Sequence, residues 1–327
     1  MVKADFYGLG AAPAATRLLA EGCRHYFVAH LGEALALRPI VGTAMVAVLN
    51  GLLPGDEALY AAANIWPVLG SVEEVDRWAG HAREVGRSLP ALLHVDTGMA
   101  RLGLPPAEFT ALAGDAARLA SVDVRYVMTH LLDADWPDAP TNHGQRTAFN
   151  AAFALLPGVP VTFANSSGLF LGPAFTSDLA RAGAALAGIN PMPHGPHPLR
   201  PVAGLTARVL QVRTIATGEG VGYGATWIAA RPSRIATVGI GYADGWPFAL
   251  GNRGRANFDG CDLPLVGRVS MDLTTFDATD APGVRPGVMV ELIGSAIPVE
   301  RVAADAGTSP YEILTRLGRR IVRTYHG

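Results

Sequence analysis

Residues 71–95, SVEEVDRWAGHAREVGRSLPALLHV, contain the pattern that decides the fold. Ser71, followed three residues later by Glu74, makes a capping box that predicts a helix over 71–86. The apolar run at 91–95 is short, which is typical of a buried strand. A helix followed by a buried strand is the repeating unit of an α/β protein.

The same alternation extends up to about residue 190. Other helix-like stretches lie at 11–21, 106–120 and 141–156. The apolar runs lie at 25–29, 44–49, 65–69, 91–95, 122–129, 160–164 and 184–188. These seven runs, together with a strand that would end near Lys3, make eight. Eight alternating units predict an α/β fold with a (β/α)₈ TIM-type barrel, and a doubly wound open sheet is the alternative.

The pattern changes after a proline-rich segment at 190–201. Proline at this density ends regular elements, so we predict a linker there, a barrel domain at 1–200 and a second domain at 201–327. Two histidines of this segment, His194 and His197, are expected to be surface residues of a stiff loop, because no third ligand stands at metal-site spacing.

Strand-like runs follow the linker, at 205–215, 234–240, 263–270 and 288–293. They predict a mostly β C-terminal domain. A final helix is predicted to begin at Ser309, because Pro310 would occupy its first position and Glu312 its third.

Composition excludes several classes of protein. Half of the 327 residues are hydrophobic and 17% are charged, so the chain can build a large core. The net charge of −2, without a basic stripe, argues against nucleic acid as a partner. Two separated cysteines, no apolar span long enough for a membrane and no signal-peptide pattern predict a soluble cytoplasmic protein without a metal site.

A single lysine stands in the sequence, at position 3, and arginine supplies every other side-chain positive charge. A buried ammonium group can lose its proton and act as a nucleophile or a base, whereas a guanidinium group stays charged. If a side-chain amine forms a Schiff base in this protein, Lys3 is the only candidate. The alternative is an ordinary solvated lysine near the N-terminus.

Polar motifs follow four of the predicted barrel strands. They are KADFYG at 3–8, HVDTGMARLG at 94–103, MTHL at 128–131 and ANSSG at 164–168. Barrel active sites are built at the carboxyl ends of strands, so four such motifs together indicate one site. The glycines at 8–10 do not make a dinucleotide fingerprint, because Pro13 stands where its third glycine belongs.

These motifs, with later ones, resemble those of the alanine racemases. The matching stretches are VKADFYGLG, HVDTGMARLGL, ANSSG, Arg181-Ala-Gly183, GEGVGYGATW, GYADGW, GRVSMD and YEILTRLGRR, over essentially the whole chain. The resemblance implies a fold-type III enzyme that uses pyridoxal 5'-phosphate (PLP) to interconvert L-alanine and D-alanine. It also implies a barrel, a C-terminal β domain, a homodimer with shared active sites, and D-alanine supply for peptidoglycan.

The resemblance gives four residues a part in the chemistry. Lys3 matches the lysine that holds PLP and exchanges a proton on one face of the substrate α-carbon. Tyr223 matches the second base, which comes from the partner subunit. Arg181 matches the residue at the pyridine nitrogen, where a permanent cation leaves the nitrogen unprotonated and favours racemisation over transamination. Arg101 matches an arginine near the PLP phenolic oxygen and the substrate carboxylate.

Other matched residues would bind the cofactor or line the substrate path. The cofactor set adds Tyr7, His130, Asn165, Ser166, Gly183, Ala184 and Tyr242. Within that set, Tyr7, Ser166 and the N–H groups near Gly183 and Ala184 match phosphate contacts, and Asn165 orients their loop. The backbone N–H of Met271 would bind the substrate carboxylate, and Arg268 and Asp272 would line the entrance. A structural histidine is the alternative for His130, and a turn-flanking aromatic is the alternative for Tyr223.

The sequence departs from the family pattern at its start and at single positions. Members carry most of a first barrel strand before the lysine, whereas only two residues precede Lys3, so we expect an incomplete first strand. His94 stands where some members carry a carbamylated lysine. Arg319 stands where some place a phosphate-contacting tyrosine.

Three other activities use related machinery. A broader amino-acid racemase, acting for example on serine, would have the same catalytic groups and a different pocket. A non-catalytic PLP carrier resembles the barrel alone, so the second domain argues against it. A PLP decarboxylase would be expected to place a carboxylate, rather than Arg181, at the pyridine nitrogen.

Overall fold

The structure is a computed structural model that describes residues 1–193 and 195–326, so the predicted surface position of His194 lies outside the described residues. The chain divides into two compact units. The first comprises Met1–Phe6, Gly10–Leu186 and Pro191–Pro198, and the second comprises Tyr7–Leu9, Ala187–Asn190 and Leu199–Gly327. The described residues of the predicted linker at 190–201 contain no helix or strand.

A parallel sheet forms the centre of the first unit. Its strands are β1 (His25–Val28), β2 (Met45–Val48), β3 (Trp66–Leu69), β4 (Leu89–His94), β5 (Val122–Met128) and β6 (Val161–Thr162). The strands lie side by side in chain order, which gives half of a barrel wall. Leu92 and Met128 pack with residues of β1, β2 and β3 in a buried apolar cluster, as expected where helices cover a parallel sheet.

Helices connect these strands. They are Ala11–Ala20, Leu31–Val41, Glu57–Ala62, Val72–Glu84, Pro106–Ala113, Ala116–Leu119 and Pro140–Phe153, and 3₁₀ turns follow at Ser167–Phe170 and Pro173–Phe175. The predicted helix at 106–120 is two helices, because Gly114 ends the first and the Asp115 carboxylate caps the second by accepting the Arg118 N–H. None of the described helices is both long and apolar enough to cross a bilayer.

The predicted capping box at Ser71 forms in part. Ser71 Oγ accepts the Glu74 N–H at 3.2 Å, and the helix starts at Val72 as predicted. The Glu74 carboxylate does not return to Ser71; it accepts the N–H groups of Gly70 at 2.6 Å and Leu52 at 3.0 Å. Glu74 therefore joins the start of its helix to the loop after β2.

The described residues form six of the eight predicted barrel strands, as one parallel sheet. The run at 184–188 is no strand, because its alanines and glycine have low strand propensity. Instead, Leu179 and Arg181 donate N–H bonds along the edge beyond β6, to Val161 and Ala164. No strand is assigned near Lys3 in the described chain. At the edge formed by β1, the Val2 N–H donates to the Phe27 carbonyl at 2.9 Å.

The second unit is built on an antiparallel sheet, as predicted for a mostly β domain. Its strands are β7 (Leu205–Ile215), β8 (Gly220–Val221), β9 (Trp227–Ile228), β10 (Ser233–Val238), β11 (Arg255–Phe258), β12 (Cys261–Pro264), β13 (Thr274–Asp277) and β14 (Met289–Ile293). Six of them pair in the order β12-β11-β14-β7-β10-β13, and β8 and β9 form a separate pair. The first half of β7 alternates buried and exposed residues, as one covered sheet face requires.

Helices and short turns complete this unit. The helices are Val299–Ala306 and Pro310–Arg316, and the 3₁₀ turns are Tyr223–Ala225, Tyr242–Asp244 and Phe248–Leu250. The predicted helix start is confirmed, since Ser309 Oγ accepts the Glu312 N–H. The predicted strand at 263–270 was too long. The strand ends at Pro264, Leu265 adds one isolated bridge to Phe276, and Gly267 adopts φ +81° where a Cβ would press on the Val221 carbonyl.

Candidate functional site

A left-handed turn over Lys3–Tyr7 presents the lone lysine. Ala4, Asp5, Phe6 and Tyr7 have φ values of 52°, 52°, 51° and 56°. Each non-glycine residue in this conformation costs roughly 1–2 kcal/mol, so the surrounding structure must hold the turn in place. Consecutive residues of this kind are rare and mark a site where backbone geometry has been set for function.

Side-chain carboxylates hold this turn on both sides. Glu33 Oε1 accepts the Ala4 N–H at 2.6 Å, and Asp5 Oδ1 accepts the Ala11 N–H at 2.6 Å. Within the turn, the Phe6 N–H donates to the Val2 carbonyl at 3.0 Å. Two N–H groups of the strained backbone, those of Ala4 and Phe6, thus have fixed partners, which helps such a conformation to persist.

The Lys3 amine lies among other cations. Burial is the main cause that lowers its pKa from the usual value, and the charge of Arg101 lowers it further. The Glu33 carboxylate acts in the opposite direction. A lowered pKa makes the neutral amine more available, as a nucleophile or a base requires.

Arg181 is a buried cation whose partners are neutral. One guanidinium nitrogen donates to the Thr162 carbonyl and hydroxyl, both at 2.8 Å, and the other donates to the Thr129 carbonyl at 2.6 Å. Burial lowers the pKa of Arg181 to about 10. No carboxylate pairs with it among residues 1–193 and 195–326, and an unpaired buried charge is costly enough to indicate a functional site.

Two histidines lie beside this cation and are neutral at ordinary pH. Arg181 lies 3.4 Å from His130 Nδ1. Burial, followed by Arg181 and Arg101, lowers the pKa of His130 to about 3. Burial and Arg181 lower the pKa of His94 to about 4, against the opposing charge of Asp96. Lys3, Arg101, His130 and Arg181 thus form one electrostatic cluster in the first unit.

A carboxylate shapes the loop that presents Arg101. Asp96 accepts the N–H groups of Gly98, Met99 and Ala100 at 2.9, 2.9 and 3.0 Å, in the manner of an Asx turn. Ala100 is held at φ 52° directly before Arg101. The direction in which Arg101 leaves the loop is therefore fixed by the residue at the end of β4.

Ser166, in the loop after β6, accepts hydrogen bonds from two backbone amides. Its buried Oγ accepts the N–H groups of Gly183 at 2.9 Å and Ala185 at 3.1 Å, on either side of Ala184. Asn165 Oδ1 accepts the N–H two residues after Ser166 at 2.8 Å, which closes the turn. Because Ser166 Oγ accepts both bonds, its own O–H can donate, and a hydroxyl beside the Ala184 amide is a combination that binds an anion such as a phosphate.

A buried glutamine joins two of these loops and was not predicted from the sequence. Gln145 Nε2 donates to Thr97 Oγ1 at 3.1 Å and to the His130 carbonyl at 2.9 Å. Its Oε1 accepts the Leu132 N–H at 2.8 Å, and the hydroxyls of Thr97 and Thr129 are 2.8 Å apart. A glutamine inside a predicted helix gives no sequence signal for this role, because its partners lie far away along the chain.

The second unit contains the other predicted residues. Tyr7 lies with its ring centroid 6.1 Å from that of Tyr311, and burial raises the pKa of Tyr7 to about 12, with a smaller effect of Tyr311. The neutral phenol is then a hydrogen-bond donor over the whole physiological range. Next to it, Arg323 donates to the Gly8 carbonyl at 3.0 Å.

Tyr242 and Met271 stand on adjoining loops of this unit. Tyr242 N–H donates to the Ser270 carbonyl at 3.0 Å, and the next amide donates to the Met271 carbonyl at 2.9 Å. Arg320 pairs with Asp272 at 2.8 Å and with Asp244 at 3.0 Å. These bonds hold the two loops together and order the predicted entrance residue Asp272.

Tyr223 is highly exposed, with 73% of its surface accessible in the described chain. Gly222 and Gly224 flank it with φ values of 72° and 73°, so the tyrosine stands out on a tight turn. Arg268 lies beside this turn, since a Cβ added at Gly224 would meet the guanidinium carbon of Arg268 at 3.7 Å. An exposed aromatic on a rigid turn is a group suited to enter a partner's site.

The groups of the first unit fit PLP. The Lys3 amine, whose pKa is lowered, can react with the PLP aldehyde, and the buried Arg181 guanidinium can donate to an unprotonated ring nitrogen. The donors around Ser166 can bind the phosphate. The fit therefore rests on the chemistry of the donor groups.

Comparisons with known proteins agree with this fit. The chain matches the family described as alanine racemase, N-terminal domain, over residues 1–191, and that described as alanine racemase, C-terminal domain, over residues 202–325. It is 52% identical to an alanine racemase of Acidiphilium cryptum, over 99% of this chain and 91% of the relative. It is 48% identical to a catabolic alanine racemase of Mesorhizobium japonicum, over 100% and 86%.

Solved structures of similar fold give the same result. The alanine racemase of Bartonella henselae with covalently bound pyridoxal phosphate has a TM-score of 0.96 and 42% identity, over 99% of this chain and 91% of that chain. The biosynthetic alanine racemase of Pseudomonas aeruginosa has a TM-score of 0.89 and 35% identity, over 100% and 91%. The predicted fold class, family and cofactor are confirmed.

Acidification should destabilise the protein through His130. The imidazole of His130 takes up a proton below about pH 6.5 in the unfolded chain. In the folded protein its pKa is about 3, so it takes up the proton only below that pH. Stability is therefore lost as the pH falls through this window, by up to about 1.4 kcal/mol per pH unit. Denaturant unfolding of the cofactor-free protein at about pH 7.5 and about pH 5 should show His130→Asn losing about 2 kcal/mol less than wild type.

The exposed His143→Asn variant is the control for that comparison. It should leave the pH dependence of the unfolding free energy as in wild type. Equal losses in wild type and His130→Asn would contradict a neutral, buried His130.

Proposed function

We propose that Lys3 and Tyr223 are the two proton-transfer groups of this chain, which belongs to the alanine racemase family and interconverts L-alanine and D-alanine with PLP. The observation that supports this most is the position of Lys3. It is the only lysine, and it lies with Arg101, His130 and Arg181 in one cluster of the first unit. No other side chain can supply a primary amine.

Lys3 would hold the cofactor and, once released, exchange the proton of the substrate α-carbon. PLP, when bound, supplies an electron sink that makes this proton acidic. The lowered pKa of Lys3 makes the neutral amine, the form that accepts a proton, more available. The left-handed turn fixes the Cα of Lys3, so only the side chain has to move between the two tasks.

Arg181 would face the pyridine nitrogen. Its guanidinium is held by carbonyl oxygens just after β5 and at the end of β6 and keeps its proton even with a pKa of about 10. A cation that donates a hydrogen bond leaves the ring nitrogen without a proton. Electron withdrawal by the ring is then limited, and the proton returns quickly to the α-carbon, which favours racemisation.

The phosphate would be bound by neutral donors. Ser166 Oγ accepts the N–H groups of Gly183 and Ala185, so its own hydroxyl hydrogen remains to donate. The N–H of Ala184 lies between these two amides along the chain and would be a second donor. Tyr7 would add a phenol that stays protonated because of its raised pKa. Asn165 would order the loop rather than contact the phosphate, since its Oδ1 is occupied by a backbone amide.

The substrate carboxylate would meet Arg101 and the N–H of Met271. Arginine offers a planar fork that matches carboxylate geometry. His130, which is neutral, would stand beside the cofactor ring, and Tyr242 would close the small pocket around the substrate methyl group. Arg268 and Asp272 would line the entrance, where opposite charges suit a zwitterionic amino acid.

Tyr223 and Met271 would come from the partner subunit of a homodimer. Both are more than half exposed, at 73% and 54%, although they are an aromatic and an apolar side chain. Exposed groups of this kind are typical of interfaces. The phenol would then protonate or deprotonate the α-carbon on the face opposite Lys3, as inversion requires.

The product would serve the cell wall. D-Alanine is a building block of peptidoglycan in this family, and we place the enzyme in the cytoplasm, where the two free cysteines Cys23 and Cys261 would stay reduced.

Removal of the Lys3 amine should abolish cofactor attachment. Borohydride treatment of holoenzyme should leave the mass of reduced PLP on the peptide that contains Lys3, because the amine forms the covalent link. Lys3→Ala should show no such adduct on any peptide and no racemisation. Lys3→Arg retains the charge and should behave in the same way. A borohydride-stable adduct elsewhere in Lys3→Ala would overturn the assignment.

Tyr223→Phe should affect the two enantiomers unequally. The variant removes only the hydroxyl, so α-proton exchange from one enantiomer should slow about 100-fold or more while exchange from the other stays much closer to wild type. NMR of L- and D-alanine in deuterated water measures both rates. The exposed Tyr325→Phe variant is the control. Equal slowing with both enantiomers would argue against two opposed bases.

A further inference from the structure

We infer that Glu33 is a positioning residue for Lys3, holding the strained turn that presents the amine and placing one negative charge beside it. The inference rests on the proposed role of Lys3 as the cofactor-binding residue. It concerns a side chain of the helix Leu31–Val41, outside every motif of the sequence analysis.

The two oxygens of Glu33 are used differently. Oε2 accepts the N–H groups of Ala29 at 2.8 Å and His30 at 3.1 Å, which caps the start of its own helix. Oε1 accepts the N–H of Ala4 at 2.6 Å, the residue directly after Lys3. One carboxylate therefore ties the end of β1, the start of a helix and the left-handed turn together.

The bond to Ala4 matters because the turn is strained. Ala4 has φ 52° and ψ 47°, and the next three residues also have positive φ. Without an acceptor at the first left-handed N–H, the turn would lose the contact that holds its start. A shift of the turn moves the Lys3 Cα and hence the amine, and small displacements of a reacting group reduce rates strongly.

The charge of Glu33 also acts on the amine. Lys3 is faced by Arg101 from the loop after β4 and by Glu33 from its helix, and its charge in turn acts on His130 and the Met1 amine. Arg101 lowers the pKa of Lys3, and Glu33 is the group that raises it. Loss of the Glu33 charge should therefore lower that pKa further.

The chain offers a matched control in Glu74. It is also the third residue of a helix that follows a parallel strand, and its carboxylate accepts two backbone N–H groups, of Gly70 at 2.6 Å and Leu52 at 3.0 Å. Glu74 ties its helix to the loop after β2 as Glu33 ties its helix to the turn after Lys3. Loss of either carboxylate removes a helix cap and a cross-link, but only Glu33 touches the Lys3 turn.

The experiment follows covalent attachment of PLP to Lys3. Holoenzyme of each variant is stripped with hydroxylamine and reloaded with PLP between about pH 6 and about pH 10, and the adduct is trapped with borohydride. Glu33→Gln keeps an acceptor oxygen but loses the charge. The pH at which its rate of PLP attachment is half-maximal should therefore be lower than in wild type. Glu33→Ala loses both, so its plateau rate should fall about tenfold or more. Glu74→Gln and Glu74→Ala should keep the wild-type midpoint and plateau.

The outcomes separate this inference from the proposed function. An adduct on Lys3 in wild type, with the Glu33 and Glu74 variants indistinguishable in midpoint and plateau, would overturn the role of Glu33 alone. Absence of an adduct on Lys3 in wild type would overturn the proposed function. If Glu33→Ala does not fold, as thermal unfolding would show, the midpoint of Glu33→Gln against Glu74→Gln decides the question.

Discussion

The buried positive charge of Arg181, which no carboxylate pairs in the part of the chain that the structure describes, is the constraint on which the polar centre of the first unit depends. Arg181 is buried among carbonyl and hydroxyl oxygens, and the charges of Lys3 and Arg101 lower the pKa of His130. Such a cluster is unfavourable by itself, because Lys3 and Arg181 are desolvated and the cations repel one another. An anionic cofactor and a substrate carboxylate supply the missing negative charge, so the same arrangement that costs stability creates affinity for both.

Side-chain acceptors hold the loops that surround this cluster. Asp96 binds three consecutive amides before Arg101, Asn165 closes the turn at Ser166, and Glu33 binds the turn after Lys3. Each acceptor stands at or just beyond the end of a strand or at the start of a helix, where backbone N–H groups lack partners. The parallel sheet determines where each loop begins. These polar acceptors then fix the conformation of each loop and so the orientation of the functional side chains.

The sequence predicted most of the elements that position the site. The alternating pattern located the six described parallel strands, and the cap residues Ser71 and Ser309 located two helix starts. The strand expected at 184–188 was wrong because a short apolar run of alanines does not specify β structure, and hydrogen bonding at the edge beyond β6 begins earlier, at Leu179. The left-handed turn at Lys3 was not foreseeable from composition, since it contains no glycine and is stabilised by Glu33 from a distant helix.

The same limit applies to the site. Motifs that share a strand end could be grouped from the sequence, and the family resemblance gave each residue a role. Gln145 and Glu33 could not be found in this way, because their functions arise from contacts with residues 48 and 29 positions away along the chain. Long-range hydrogen bonds of single polar residues leave no local pattern.

The central claim is that one active site takes Lys3 from one protomer and Tyr223 from its partner. A mixture of Lys3→Ala and Tyr223→Phe protomers, unfolded together and refolded, tests it by racemase activity. Mixed dimers would contain one site with both groups intact, so random pairing should restore about a quarter of wild-type activity from two inactive or weakly active parents. A mixture no more active than the average of its parents, with mixed dimers shown to form, would contradict the account.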